Sequence, residues 1–143
     1  MNELELLELA KTIMELNKEL NPMLTGSLML YVRGINKRRE ANDIDILVNI
    51  IDYNKIAIPD GFDQSSPCYP DVIQFKNKDG IKIDFLLSEE TSENIDGINC
   101  GSTELMLNAK YMYYMIENSD KHKLDLEFLN YDFPILEVDI LPY

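Results

Sequence analysis

The sequence predicts one α/β domain, on three observations. An amphipathic helical stripe opens the chain, a β-branched run with two aspartates stands near its middle, and an Asp-Gly turn joins two further strand-like runs. At 143 residues, with 45% hydrophobic and 27% charged side chains, the composition is that of a single globular domain, 1–143, with its own core.

The opening helix is read over about 4–20, where Leu6, Leu9, Ile13, Leu16 and Leu20 recur at steps of three and four. Asn21-Pro22 stops it. Met23-Leu24-Thr25 is a short apolar stretch that runs into Gly26-Ser27, with Ser27 as N-cap of a helix from Leu28 to about Arg33. Gly34 to Asn42 is a polar and basic loop, and Asp43 to Ile51 is a strand by alternation. Asp52 to Asp71 is rich in Pro, Gly, Ser and Asp and is expected to be mostly loop. Asp71–Phe75 and Ile81–Leu87 flank Asn77-Lys78-Asp79-Gly80 as a hairpin. Beyond a polar stretch, Ser88 to Gly101, Ser102 caps a helix reaching about Glu117, with Leu105, Ala109, Met112 and Ile116 on its apolar face. Lys121 to Leu129 forms a second, shorter helix.

A net charge of −13, from 26 acidic and 13 basic residues, offers no general basic face, so extended nucleic-acid binding is not expected. A small phosphorylated ligand stays open, because local charge and bound metal decide that case. No apolar run is long enough for a membrane helix and the first residues are acidic, which gives a cytoplasmic expectation with no membrane partner. Cys68 and Cys100 read as reduced thiols, neither a disulfide framework nor a zinc site.

Aspartate resists burial in strands, so Asp43 and Asp45 at alternate positions need a reason. The alternation puts both on one face, opposite Ile44 and Ile46. Asp84, within Ile83-Asp84-Phe85, has the same setting. Three carboxylates on neighbouring strands repel one another unless a hard divalent cation joins them, and Mg²⁺ prefers carboxylate oxygen. A solvated face of unrelated aspartates is the plainer account of Asp-Ile-Asp alone. Gly26-Ser27 before a helix is a place where backbone approaches an anion closely, and also a common turn. Lys37-Arg38-Arg39 either balances phosphates or pairs with surface acids, the second being ordinary for exposed charges. Lys110 suits phosphate as a point charge. Tyr111, Tyr113 and Tyr114 are read as core or partner-facing before base-stacking, and His122 as solvent-facing.

Taken together, Gly26-Ser27, Asp43-Ile44-Asp45 and Asp84 resemble the DNA polymerase β-like nucleotidyltransferase superfamily, in particular its minimal and AbiEii-like members. Arg38-Arg39 ahead of the aspartates, Lys110 on the later helix and Lys121-His122-Lys123-Leu124-Asp125-Leu126 extend the likeness over about 23–129. His122 stands where that pattern has Asp, and Asn118-Ser119-Asp120 where it has an Arg. The resemblance implies a mixed sheet of about four or five strands flanked by helices, with a C-terminal helical pair. It also implies metal (Mg²⁺ or Mn²⁺) at Asp43, Asp45 and Asp84, with Gly26, Ser27, Arg39 and Lys110 at the nucleotide. The activity implied is transfer of a nucleoside monophosphate from an NTP such as ATP to a hydroxyl of a protein, a small molecule or a tRNA end, with Asp84 helping to activate that hydroxyl. The function class that competes is a fold kept without turnover, as a nucleotide sensor or a partner-binding module of a toxin–antitoxin or phage-defence pair. A ligand-free acidic interaction domain is the third.

Overall fold

The computed structural model describes residues 1–49, 53–65 and 72–134. Helix α1, Glu3–Leu16, starts at Asn2, whose side chain accepts from the Glu5 amide at 2.8 Å while Glu5 accepts from the Asn2 amide at 3.2 Å. These reciprocal bonds satisfy backbone donors that the first helical turn leaves open. The buried face of α1 is Leu6, Leu7, Ala10 and Ile13, and Leu16, read as part of the stripe, is exposed. Asn17, buried at the helix end, donates to the carbonyls of Ile13 and Ala57 and accepts from the Ala57 amide at 2.7 Å. That side chain ties a distant loop to α1 without leaving a buried polar atom unpaired.

Strand β1, Met23–Thr25, feeds directly into α2, Gly26–Val32. The residue flanking this helix is Thr25, with no side-chain cap bond, so Ser27 sits inside the first turn rather than at the N-cap. Strand β2 is Ile44–Val48, shorter than the 43–51 expected; Asp43 precedes it, and Ile50 and Ile51 lie outside the described residues. Strands β4, Val72–Asn77, and β5, Lys82–Leu87, form the expected antiparallel hairpin. Helices α3, Thr103–Glu117, and α4, Asp120–Phe128, are the C-terminal pair, and Ser102 caps α3 by accepting from the Leu105 amide.

The sheet has seven strands among the described residues, against four or five expected. The additions are β3, Phe62–Ser65, within a segment read as loop, and a short hairpin of β6, Glu93–Ile95, and β7, Ile98–Cys100, within the stretch after Ser88. The order is β3-β4-β5-β2-β1-β7-β6; β2–β5 and β1–β7 are parallel and the other pairs antiparallel. A mixed sheet with β2 at its centre follows.

Beneath the sheet Ile44, Ile46, Val48, Ile83 and Phe85 are fully buried, against Leu6, Ile13, Leu28 and Met29 of α1 and α2. The polar alternates of β2 and β5 are thereby forced to the other face. Helix α3 departs from its expected pattern. Leu105, Met112 and Ile116 are exposed, and the residue that α3 buries in the core is Met106. Cys100 is a buried free thiol, and Cys68 lies outside the described residues. No helix among the described residues is long and apolar enough to cross a membrane.

Phe85 meets Phe75 edge-on, with ring centroids 6.0 Å apart, at the centre of this layer. Phe85→Ala is therefore expected to cost about 3–5 kcal/mol in urea unfolding, with the slope unchanged. A cost under about 1 kcal/mol would mean the layer repacks and does not set the position of β5.

Candidate active site

One row of side chains crosses four strands. Gln74 of β4 pairs with Asp84 of β5, Asp84 with Asp45 of β2, and Asp45 with Thr25 of β1. Directly paired residues share a face, so this row lies opposite the buried isoleucines. Thr25 leads at once into Gly26, whose φ is 71°. A Cβ on Gly26 would run into the Asp45 carboxylate, with Asp45 Cγ at 3.2 Å. Glycine is required here both by backbone sign and by the closeness of Asp45.

The row borders a cleft of about 480 Å³, walled on the other side by Lys110, Tyr113 and Glu117 of α3 and Lys121 and His122 of α4. Asp43, Gly26, Ser27 and Arg39 line it as well. All seven residues singled out from the sequence therefore reach one cleft, but in two separate arrangements.

In the first, Asp45 and Asp84 stand side by side on paired strands, close enough for each to act on the other's proton affinity. Burial, then the charges of Asp84 and Asp43, push Asp45 up to about 8, with Lys110 acting the other way. Burial also raises Asp84, although Gln74 Nε2 donates to its Oδ1 at 2.8 Å and opposes the shift. Asp43 faces the pair as a charge from the start of β2. Among the described residues no three acidic, His or Cys side chains stand together as a metal-holding group, so the ready pair is Asp45 and Asp84. The chemistry of that pair fits a hard divalent cation, since two crowded carboxylates repel, and Asp43 lines the cleft beside them without completing a three-acid group.

In the second arrangement, Arg39 and Lys110 do not point to the acid pair as free cations. Arg39 Nη2 reaches Asp125 Oδ2 at 2.7 Å, Lys110 Nζ reaches the same oxygen at 3.1 Å, and Arg38 Nε reaches Oδ1 at 2.8 Å. Arg38 and Arg39 thus pair with an acid, as the ordinary reading had it, but with a buried one. Lys37 pairs instead with Glu3 at 2.8 Å.

His122 is not solvent-facing. It is partly buried in the cleft wall, bonded to Glu117 through Nε2 at 2.9 Å, with its ring centroid 6.3 Å from that of Tyr113. Burial, then Lys110, lower its pKa, so the neutral ring is favoured. Tyr113 separates from its neighbours: burial and the Asp45 and Asp84 charges raise its phenol. Tyr111 and Tyr114 instead join Tyr131 and Phe133 in an aromatic cluster. Gln74 was not singled out from the sequence, although the Asp79-Gly80 turn fixes the hairpin register and with it the place opposite Asp84.

No protein-family model matches the chain, and no curated protein does. Solved structures give weak likenesses. JHP933 of Helicobacter pylori is 17% identical, with 76% of this chain and 55% of that one covered at a TM-score of 0.46. An H. pylori protein described as a candidate nucleotidyltransferase is 16% identical, over 75% and 56%, at 0.45. An antigenic nucleotidyltransferase-like protein of Paracoccidioides brasiliensis is 18% identical, over 84% and 72%, at 0.43. The chain spans a little over half the length of the two H. pylori proteins.

A pH dependence follows from the acid pair. Folded Asp45 keeps its proton from the ordinary 3.8 up to about 8, where the unfolded chain has already released it. Metal-free stability therefore falls as pH rises through that window. Asp45→Asn should flatten the fall and raise the melting temperature near pH 8 in chelator. A lower melting temperature for Asp45→Asn at that pH would contradict the crowding of the two carboxyl groups.

Proposed function

We propose that this chain is a metal-dependent nucleotidyltransferase that moves a nucleoside monophosphate from an NTP to a hydroxyl of a protein, a small molecule or a tRNA end. The observation that carries the reading is the direct pairing of Asp45 with Asp84 on the cleft face, closed at one side by Gly26. Mg²⁺ or Mn²⁺ would be held by Asp45 and Asp84, with Asp43 beside them. Bound there, the ion would supply a Lewis acid that offsets negative charge on the phosphoryl oxygens.

The protein's own groups divide the remaining tasks. Gln74 holds Asp84 by one oxygen, which fixes the orientation of the other. Asp84 takes the proton of the acceptor hydroxyl as its oxygen attacks the α-phosphorus and the bond to pyrophosphate breaks. Ser27 and the Gly26 backbone border the phosphates, and Lys110, whose charge reaches Asp45, lies between acids and phosphate tail. Tyr113 closes the cleft over the acid pair.

One observation favours a second reading. Asp43 precedes β2 and completes no three-acid group among the described residues, which suits a module that binds nucleotide without turnover, as a sensor or a toxin–antitoxin partner.

Calorimetry with each NTP tests the shared claim. Binding should require Mg²⁺ or Mn²⁺ and be lost in Asp45→Asn, while circular dichroism stays unchanged. Incubation with α-labelled NTP and candidate acceptors then separates the readings: label transfer marks the enzyme, and metal-dependent binding without transfer marks the sensor. Metal-independent binding that survives Asp45→Asn would sink both.

A further inference from the structure

We propose that Asp125 is a positioning residue that gathers Arg38, Arg39 and Lys110 into one cationic ledge beside Ser27, where the phosphate tail of the nucleotide lies. The inference rests on the nucleotide reading above and adds a residue to it.

The contributing segments are far apart in sequence. Arg38 and Arg39 come from the loop between α2 and β2, Lys110 from α3, and Asp125 from α4. Their meeting point is a carboxylate only 8% exposed. Asp125 Oδ1 accepts from Arg38 Nε at 2.8 Å and Arg39 Nε at 3.2 Å. Oδ2 accepts from Arg39 Nη2 at 2.7 Å and faces Lys110 Nζ at 3.1 Å. Those four contacts use the whole acceptor capacity of a carboxylate. Its proton affinity is held well below the usual range, Arg39 and Lys110 overcoming the cost of burial.

One acid against three cations is more than neutralisation of a buried charge needs. The imbalance leaves a local excess of positive charge in a chain whose net charge is −13. Lys121 stands close by; burial, then Arg39 and Lys110, lower the pKa of its ammonium against the opposing charges of Asp43 and Asp125. Crowded cations repel, so without Asp125 the long side chains would spread apart into solvent. With it, Arg39 and Lys110 are each gripped on one side only, while Arg38 also donates Nη2 to the Lys121 carbonyl at 3.4 Å. Arg39 is held through Nε and Nη2 and Lys110 through one contact, which leaves donors directed elsewhere. Ser27, Arg39 and Lys110 line the acid cleft, and Ser27, Arg38, Arg39, Lys110 and Asp125 line the recess that adjoins it. The recess and the acid cleft therefore adjoin along Ser27, Arg39 and Lys110. A polyphosphate is the ligand whose charge suits a cationic ledge beside an acid pair.

The test compares each NTP with its own monophosphate, by calorimetry in Mg²⁺, on wild type, Asp125→Asn and Asp125→Glu. Asp125→Asn should weaken the triphosphate by about tenfold or more, the loss of roughly one charge-assisted contact, while the monophosphate changes by less than about twofold. Asp125→Glu keeps the charge but displaces it, and should show a smaller loss with the same selectivity. Should Asp125→Asn fail to fold, Asp125→Glu decides: selective loss supports the assignment, and unchanged triphosphate affinity overturns it. Equal losses for the two nucleotides would mean a merely structural role and would also overturn it. A wild type that binds no NTP sinks the nucleotide reading and this inference together, whereas tight wild-type binding with an indifferent Asp125→Asn removes this inference alone.

Discussion

Two carboxylates set side by side on a rigid sheet are the constraint around which the rest is arranged. Asp45 and Asp84 are neighbours because β2 and β5 run parallel in that register, and neither strand can slip without exposing its buried face. The apolar layer of Ile44, Ile46, Ile83 and Phe85 is what holds two like charges where they would not remain in a flexible loop. Burial and that repulsion raise the proton affinity of Asp45, and Gly26 lies against the same carboxylate at the end of β1. A carboxyl pair held in its own crowding by a rigid core is a physical signature of a functional position.

Asp125 is the counterpart of that pair. Where Asp45 is an acid short of positive charge, Asp125 is an acid surrounded by it, and their proton affinities move in opposite directions. Lys110 connects the two, paired with Asp125 and acting on Asp45. The cleft thus has an acidic floor and a cationic edge within an acidic protein. That polarity suits a small ligand carrying both metal and phosphate better than it suits a nucleic-acid backbone.

Much of this was legible in the sequence where residue type and period agreed. The Asp79-Gly80 turn fixed the β4–β5 hairpin, and Asp45 flanked by isoleucines announced a strand with a polar face. Strand β3 escaped because Phe62-Asp63-Gln64-Ser65 has one apolar residue and pairs only at the sheet edge. Strands β6 and β7 escaped because three residues each are too short to show a period. Helix α3 was recognised, but its apolar stripe was assigned to the core. The sheet instead takes Met106, and the cleft takes Leu105, Lys110 and Tyr113, which turns Met112 and Ile116 outward. The capture of Arg39 and Lys110 by Asp125 depends on how two helices and a loop pack, which no local pattern encodes.

Diffraction from crystals soaked with Mn²⁺ and a nucleoside triphosphate, read at the manganese absorption edge, tests the central claim most directly. The account predicts an anomalous peak touching carboxylate oxygens of both Asp45 and Asp84, with phosphate density running toward Arg39 and Lys110. A peak elsewhere, or nucleotide seated away from that pair, would contradict it.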